Sequence, residues 1–151
     1  MLLLNFNDAT AHIKGGKMYP NINGVVHFKE TKEGVLLTAK IHNLPINSGK
    51  CGGRFFGFHI HEGASCTGND QDEFANVGKH YNPNDCPHPF HLGDLPPLIE
   101  NKGYAYMSVL LNKFKIKDII GKTIIIHDKP DDFTSQPSGD SGTKIACGVI
   151  E

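Results

Sequence analysis

The run Phe56-Gly57-Phe58-His59-Ile60-His61-Glu62-Gly63 offers two imidazoles at alternate positions. Side chains of a strand alternate faces, so Phe56, Phe58 and Ile60 point one way and His59 and His61 the other. Alone, a His-x-His of this kind reads as a half-buried strand with surface histidines. Four more histidines follow in clustered order, His80, His88, His91 and His127, with Asp94 three residues after His91. Six of the nine histidines then belong to one proposed site, which scattered surface histidines rarely do.

The chemistry open to these residues is metal binding. His59, His61 and His127 supply three neutral imidazoles, which suit copper, zinc, iron or nickel, with geometry deciding among them. His88, His91 and Asp94 are of the types that hold tetrahedral zinc. In His88-Pro89-Phe90-His91-Leu92-Gly93-Asp94 a ligand recurs at every third residue, so one loop can wrap a small ion. His80 lies between the two groups and has two ring nitrogens, so it can ligate a different metal through each.

The elements that must position these ligands read as short strands. Residues 11–14, 25–30, 35–44, the His59 run, 103–110, 123–127 and 144–150 are strand candidates. Thr31-Lys32-Glu33-Gly34 reads as a hairpin turn, and Pro45 stops the third strand. Ile116, Ile119 and Ile120 fall at helical spacing and predict a short helix over 113–120. Ile124 and Ile126 lie on the face opposite His127. Between residues 63 and 97 there is no sustained periodicity, and a stretch that long inside a domain is usually functional or disordered. Here the ligand count argues for function, with metal supplying the order that a core cannot. Residues 131–143 form a second loop rich in Asp, Ser, Gly and Pro. About seven short strands and two long loops predict an all-β sandwich or barrel.

Composition sets the bounds. A chain of 151 residues fits a single domain spanning 1–151 and can bury a real core. A formal net charge of −1 gives no bulk attraction to nucleic acid or membranes, and neither is expected as a partner. No apolar run approaches the roughly 18 residues of a spanning helix. Met1-Leu2-Leu3-Leu4-Asn5 lacks a basic region and a small-residue cleavage site, so it is not a signal peptide as it stands. Four cysteines, Cys51, Cys66, Cys86 and Cys147, are too few for a disulfide-built scaffold but leave room for one or two bridges.

From about Ala11 to Glu151 the chain resembles the copper,zinc superoxide dismutases, in a bacterial-type variant with a shortened zinc loop. Five motifs carry the resemblance in the family's order. They are Gly57-Phe58-His59-Ile60-His61-Glu62, Gly78-Lys79-His80-Tyr81-Asn82-Pro83, His91-Leu92-Gly93-Asp94-Leu95, His127-Asp128-Lys129-Pro130-Asp131-Asp132 and Lys144-Ile145-Ala146-Cys147-Gly148-Val149-Ile150. The resemblance implies an eight-stranded Greek-key β-barrel of immunoglobulin-like architecture, one edge strand more than periodicity shows. It implies copper held by His59, His61, His80 and His127, and zinc held by His80, His88, His91 and Asp94. Asp131 matches the carboxylate that links a copper-ligand histidine to a zinc-ligand histidine, and Cys66 and Cys147 match an intrachain disulfide. The loop 131–143 becomes the one that shapes the channel over copper. The implied activity is dismutation of superoxide to dioxygen and hydrogen peroxide by alternate reduction and oxidation of copper, with His80 handling a proton and zinc structural.

The chain departs from the family's pattern in places. Lys144 stands where the family has an arginine that positions the anion, and it keeps the charge while losing the planar fork. It is therefore expected to attract superoxide but to orient it less well; the bland alternative is a lysine pointing into solvent. Only Pro89 and Phe90 separate His88 from His91, and the loop after His127 is short, with Asp131, Asp132 and Asp140 as its acids. Cys51 and Cys86 are extra. They predict a second disulfide, a soft zinc ligand at Cys86, or two free thiols. His12, His27 and His42 read as ordinary surface or packed histidines.

Two other functions compete with the enzyme: a dismutase-like module that holds or delivers metal with little catalysis, which the Lys144 replacement favours, and a zinc-only structural domain. The complete set of seven ligands with Asp131 argues against the first, and copper titration separates the three. A homodimer is possible. A disulfide suits an oxidising compartment, whereas the missing signal predicts the cytoplasm, or an extracytoplasmic location if a signal was removed.

Overall fold

The structure is a computed structural model that describes residues 7–151. The apolar start at 1–5 lies outside the described residues. The elements in chain order are β1 (Asp8–Gly15), β2 (Asn23–Glu30), β3 (Val35–His42), β4 (Phe55–Phe56), β5 (Phe58–His61), β6 (Leu98–Ile99), β7 (Ala105–Leu111), α1 (Ile116–Ile119), β8 (Thr123–His127) and β9 (Lys144–Val149). One 3-10 turn, Ala75–Val77, interrupts the long loop.

Seven strands form one antiparallel sheet in the order β5-β8-β9-β1-β2-β3-β7. β4 pairs with β6, Phe55 opposite Ile99 and Phe56 opposite Leu98, and it runs on into β5 after Gly57. Counting β4 and β5 as one interrupted strand gives eight. The out-of-sequence neighbours β9–β1 and β3–β7 are the crossovers of a Greek key. The sheet curls, giving the immunoglobulin-like barrel that the resemblance implies. Strand β6 is the extra one; two residues after Pro96-Pro97 are too few to show a period of two.

Alternation explains where the core sits. Val26 and Phe28 of β2, Leu37, Ala39 and Ile41 of β3, and Phe58, Ile60, Ile124 and Ile126 of β5 and β8 are all fully buried in one apolar cluster. Each such Val, Leu, Ile or Phe side chain stabilises the fold by about 1.5–3 kcal/mol. Strand β3 ends at His42 because Asn43 turns into the left-handed region at φ 61°. The helix is shorter than the expected 113–120: the Asp118 carboxylate accepts the Lys115 N–H at 3.0 Å and starts it late. Ile116 and Ile119 face the core, as the spacing predicts.

Among the described residues no helix is long and apolar enough to cross a membrane. Cys66 and Cys147 form the expected disulfide and pack with Phe74, Val77 and Ile125 in a small second cluster. Cys51 and Cys86 do not pair; both are free thiols, Cys51 exposed on its glycine-rich loop and Cys86 half-buried. Of the outlying histidines, His12 and His42 are exposed and His27 sits 3.4 Å from Asp8 at the surface.

Candidate metal centre

Strand β5 is an edge of the seven-stranded sheet, and the loop 63–97 closes against it. Ile60 N–H donates to Gly93 O at 2.9 Å and Tyr81 N–H to Ile60 O at 2.8 Å. Bridges pair His59 with Asp94 and His61 with His80. Gly93 permits this, since a Cβ there would lie 2.2 Å from Ile60 O. Every ligand named from the sequence is therefore brought to one place. His59, His61, His80 and His127 form one group of donor atoms, and His80, His88, His91 and Asp94 a second, all within 4.8 Å of one another in each.

All seven are buried; His59 has no exposure, against the half-exposed strand that alternation alone suggests. Burial makes hydrogen bonds decide which ring nitrogen is free. His61 Nδ1–H donates to Gly78 O at 2.9 Å and His127 Nδ1–H to Gly142 O at 3.3 Å. His59 Nε2–H donates to Asp131 Oδ2 at 2.7 Å and His88 Nε2–H to Asp131 Oδ1 at 2.8 Å. In each ring the other nitrogen then carries a lone pair. Those atoms converge. His61 Nε2 and His127 Nε2 are 3.3 Å apart, while the buried His59 Nδ1 and His80 Nε2 have no hydrogen-bond partner. On the other side, His80 Nδ1 is 2.7 Å from Asp94 Oδ1, and His88 Nδ1 and His91 Nδ1 lie 3.1 and 3.2 Å from Asp94 Oδ2. The His88 contact is too poorly aligned to count as a hydrogen bond.

Facing lone pairs repel unless a cation lies between them, and buried polar atoms without partners are costly. The donor set therefore fits two metal ions, an all-imidazole group suited to copper and a three-His, one-carboxylate group suited to zinc. Burial lowers the pKa of His59 to about 4, against the opposing pull of Asp131, and that of His127 to about 3. Burial likewise lowers His61 and His91. Neutral imidazoles are the form that binds metal. Burial alone would raise Asp94 and Asp131, but bonds from His80 to the first, and from His59 and His88 to the second, hold both below the usual carboxylate range.

Lys144 neither points into solvent nor reaches freely over the histidines. Its ammonium donates to Asp72 and, at 3.4 Å, to Phe74 O. It lines, with His61, His80 and His127, an open cavity of about 540 Å³. The ligand groups among the described residues do not include Cys86. Sequence reasoning missed Asp72, Gln136 and the two carbonyl acceptors, because a polar residue in an aperiodic loop announces no partner.

Residues 22–150 match the family model described as "Copper/zinc superoxide dismutase (SODC)". The chain is 33% identical over 143 residues to "Superoxide dismutase [Cu-Zn] 1" of Aquifex aeolicus, covering 85% of this chain and 79% of that protein. It is 33% identical over 153 residues to "Superoxide dismutase [Cu-Zn]" of Legionella pneumophila, covering 96% and 88%. Among solved structures it superposes on "Cu/Zn superoxide dismutase from Brucella abortus" with a TM-score of 0.79 at 28% identity, over 95% of this chain and 99% of that one.

Proposed function

The chain belongs to the copper/zinc superoxide dismutase family and is a superoxide dismutase using copper and zinc, and we propose how its residues divide that work. His59, His61, His80 and His127 hold copper; His80, His88, His91 and Asp94 hold zinc. The observation that carries this is the pair of converging donor groups sharing His80, with unpartnered buried nitrogens on His59 and His80. Bound copper supplies the one-electron exchange by which two superoxide ions and two protons become dioxygen and hydrogen peroxide, and zinc has no redox part.

The protein's own groups do the rest. Gly78 O, Gly142 O and Asp131 fix the tautomers, so the lone pairs of His61, His127, His59 and His88 are aimed before metal arrives. His80 keeps Nδ1 on the zinc side, and its Nε2, otherwise a donor to copper, is the atom that would hold a proton for the product. Lys144 draws the anion into the cavity, and Asp72 holds its ammonium to one wall. The open cavity gives a diatomic anion access to His61, His80 and His127, while His59, His88 and Asp94 stay behind them.

As finer readings, the chain acts as one domain and assembles as a homodimer, for which the exposed apolar pair Phe55 and Ile99 is the support. The Cys66–Cys147 bridge supports work in an oxidising compartment rather than the cytoplasm. The test of the whole reading is stopped-flow superoxide decay with disulfide-intact protein loaded with one copper and one zinc. A fast rate that depends on copper is expected; a rate no faster than metal-free protein overturns the catalytic assignment.

A further inference from the structure

The zinc-side ligand His88 lies in Cys86-Pro87-His88-Pro89, a segment belonging to no strand. Proline has no N–H, so Cys86 and His88 hold the segment's only backbone donors. Each is met by a side-chain amide. Cys86 N–H donates to Asn82 Oδ1 at 3.0 Å while Asn82 Nδ2 donates to Cys86 O at 2.9 Å. His88 N–H donates to Gln136 Oε1 at 2.9 Å while Gln136 Nε2 donates to His88 O at 2.7 Å. Asn82 is local, but Gln136 comes from the other loop, 48 residues on. From that same loop Asp131 takes the ring's Nε2–H at 2.8 Å. His88 is thus gripped at both ends, ring tip and backbone, by residues 131–136.

We propose that Gln136 is a positioning residue for the zinc site, fixing the backbone of His88 from the opposite loop while Asp131 fixes its ring. This rests on the reading that His80, His88, His91 and Asp94 bind zinc. The requirement is chemical. One acceptor and one donor at fixed spacing must meet one N–H and one C=O, and a carboxylate or an alkyl group fails half or all of it. Gln136 is exposed on its outer side, whereas His88 is buried, so the amide also covers the ligand's backbone. Because Gln136 lines the copper-side cavity as well, the same residue joins that wall to the zinc ligand.

The test is zinc affinity of Gln136→Leu in metal-depleted protein, by competition with a chromophoric chelator, with copper affinity measured in parallel. Loss of about 10- to 100-fold in zinc affinity is expected, as for other groups that orient a ligand from behind. Copper affinity and the melting temperature of metal-free protein stay near wild type. The visible absorption of cobalt(II) bound in place of zinc shifts, and the His88 amide exchanges its hydrogen faster. Gln136→Glu, which can accept but not donate at neutral pH, falls between wild type and Leu. Zinc affinity within about twofold of wild type overturns the inference, as does an equal loss of zinc, copper and thermal stability, which means a general structural role. Asp94→Asn separates the two levels. If it loses zinc and Gln136→Leu does not, only the inference fails; if neither loses zinc, the ligand assignment beneath it fails too.

Discussion

The two faces of the β5–β8 pair are buried almost equally and for opposite reasons. Inward, Phe58, Ile60, Ile124 and Ile126 have no exposure and lie in the main core. Outward, His59, His61 and His127 are at most 4% exposed, covered by loops rather than by a second sheet. Burial of the first set stabilises the fold directly. Burial of the second disfavours the charged imidazoles, lowering His59 to about 4 and His127 to about 3, and each ring needs a hydrogen bond and a metal to offset what it loses. Ile125 is the apolar exception on the outward side, and it packs with the disulfide that anchors the covering loop. One face is self-sufficient, then, while the other is a polar surface covered by loops and a disulfide, with two donor groups that would hold cations.

The largest effect expected is from opening the outward cover. Cys66→Ser removes a link between residues 81 apart, costing about 4.5 kcal/mol by the chain-entropy relation. Chemical denaturation of metal-free protein measures it, and a loss below about 1 kcal/mol would show that the loops close without the bridge. Phe58→Ala strikes the other face and costs about 3–5 kcal/mol. Denaturation with and without metals should give the same loss, since the core does not depend on the ions; a loss confined to metal-loaded protein would erase the distinction between the faces.

Asp131→Asn sharpens the comparison within the outward face. The linking role that the family resemblance implies for Asp131 predicts that the change weakens zinc more than copper by loosening His88. The structure redirects this, because the Phe133 N–H donates to Oδ1 at 2.7 Å and so requires an oxygen on the His88 side. The amide's NH2 then meets His59 Nε2–H, donor against donor. Copper affinity should fall about 10- to 100-fold, and more than zinc affinity; chelator competition for each metal decides it. Lys144→Arg should raise the dismutation rate severalfold by restoring a two-donor fork, and an unchanged stopped-flow rate would count against it.

The smallest effect concerns the cavity rim. Burial alone would raise the Asp72 carboxyl, but its bond with Lys144 brings it below its ordinary value. A depressed folded-state value means stability that is present above the unfolded value near 3.8 and lost as pH falls through the folded one. Asp72→Asn should therefore cost less than about 1 kcal/mol at pH 7, the pair being partly exposed. Its melting curve should converge with wild type as the medium is acidified below the carboxylate range. A constant difference at all pH values would assign the loss to packing.

The two candidate ligand groups were legible because much of their spacing is local. His59 and His61 share a face by the period of a strand, and the zinc-side ligands recur every third residue within one turn of loop. The core faces of β2, β3, β5 and β8 were legible for the same reason. What lay beyond reach was the pairing of distant segments, in the two-residue β6 and in the choice between a second disulfide and free thiols at Cys51 and Cys86, and one local competition, the Asp118 bond to the Lys115 N–H that starts α1 late.

By itself, then, the order of residues determined which side chains are candidates for metal, which strand faces are apolar, and which family's motifs the chain bears. Only the tertiary structure decided which nitrogen of each ring is free, that Lys144 is held by Asp72, and that Gln136 joins Asp131 in gripping His88 from another loop. Periodicity is a property of a single backbone, whereas a hydrogen bond between loops depends on how the folded sheet sets them against each other.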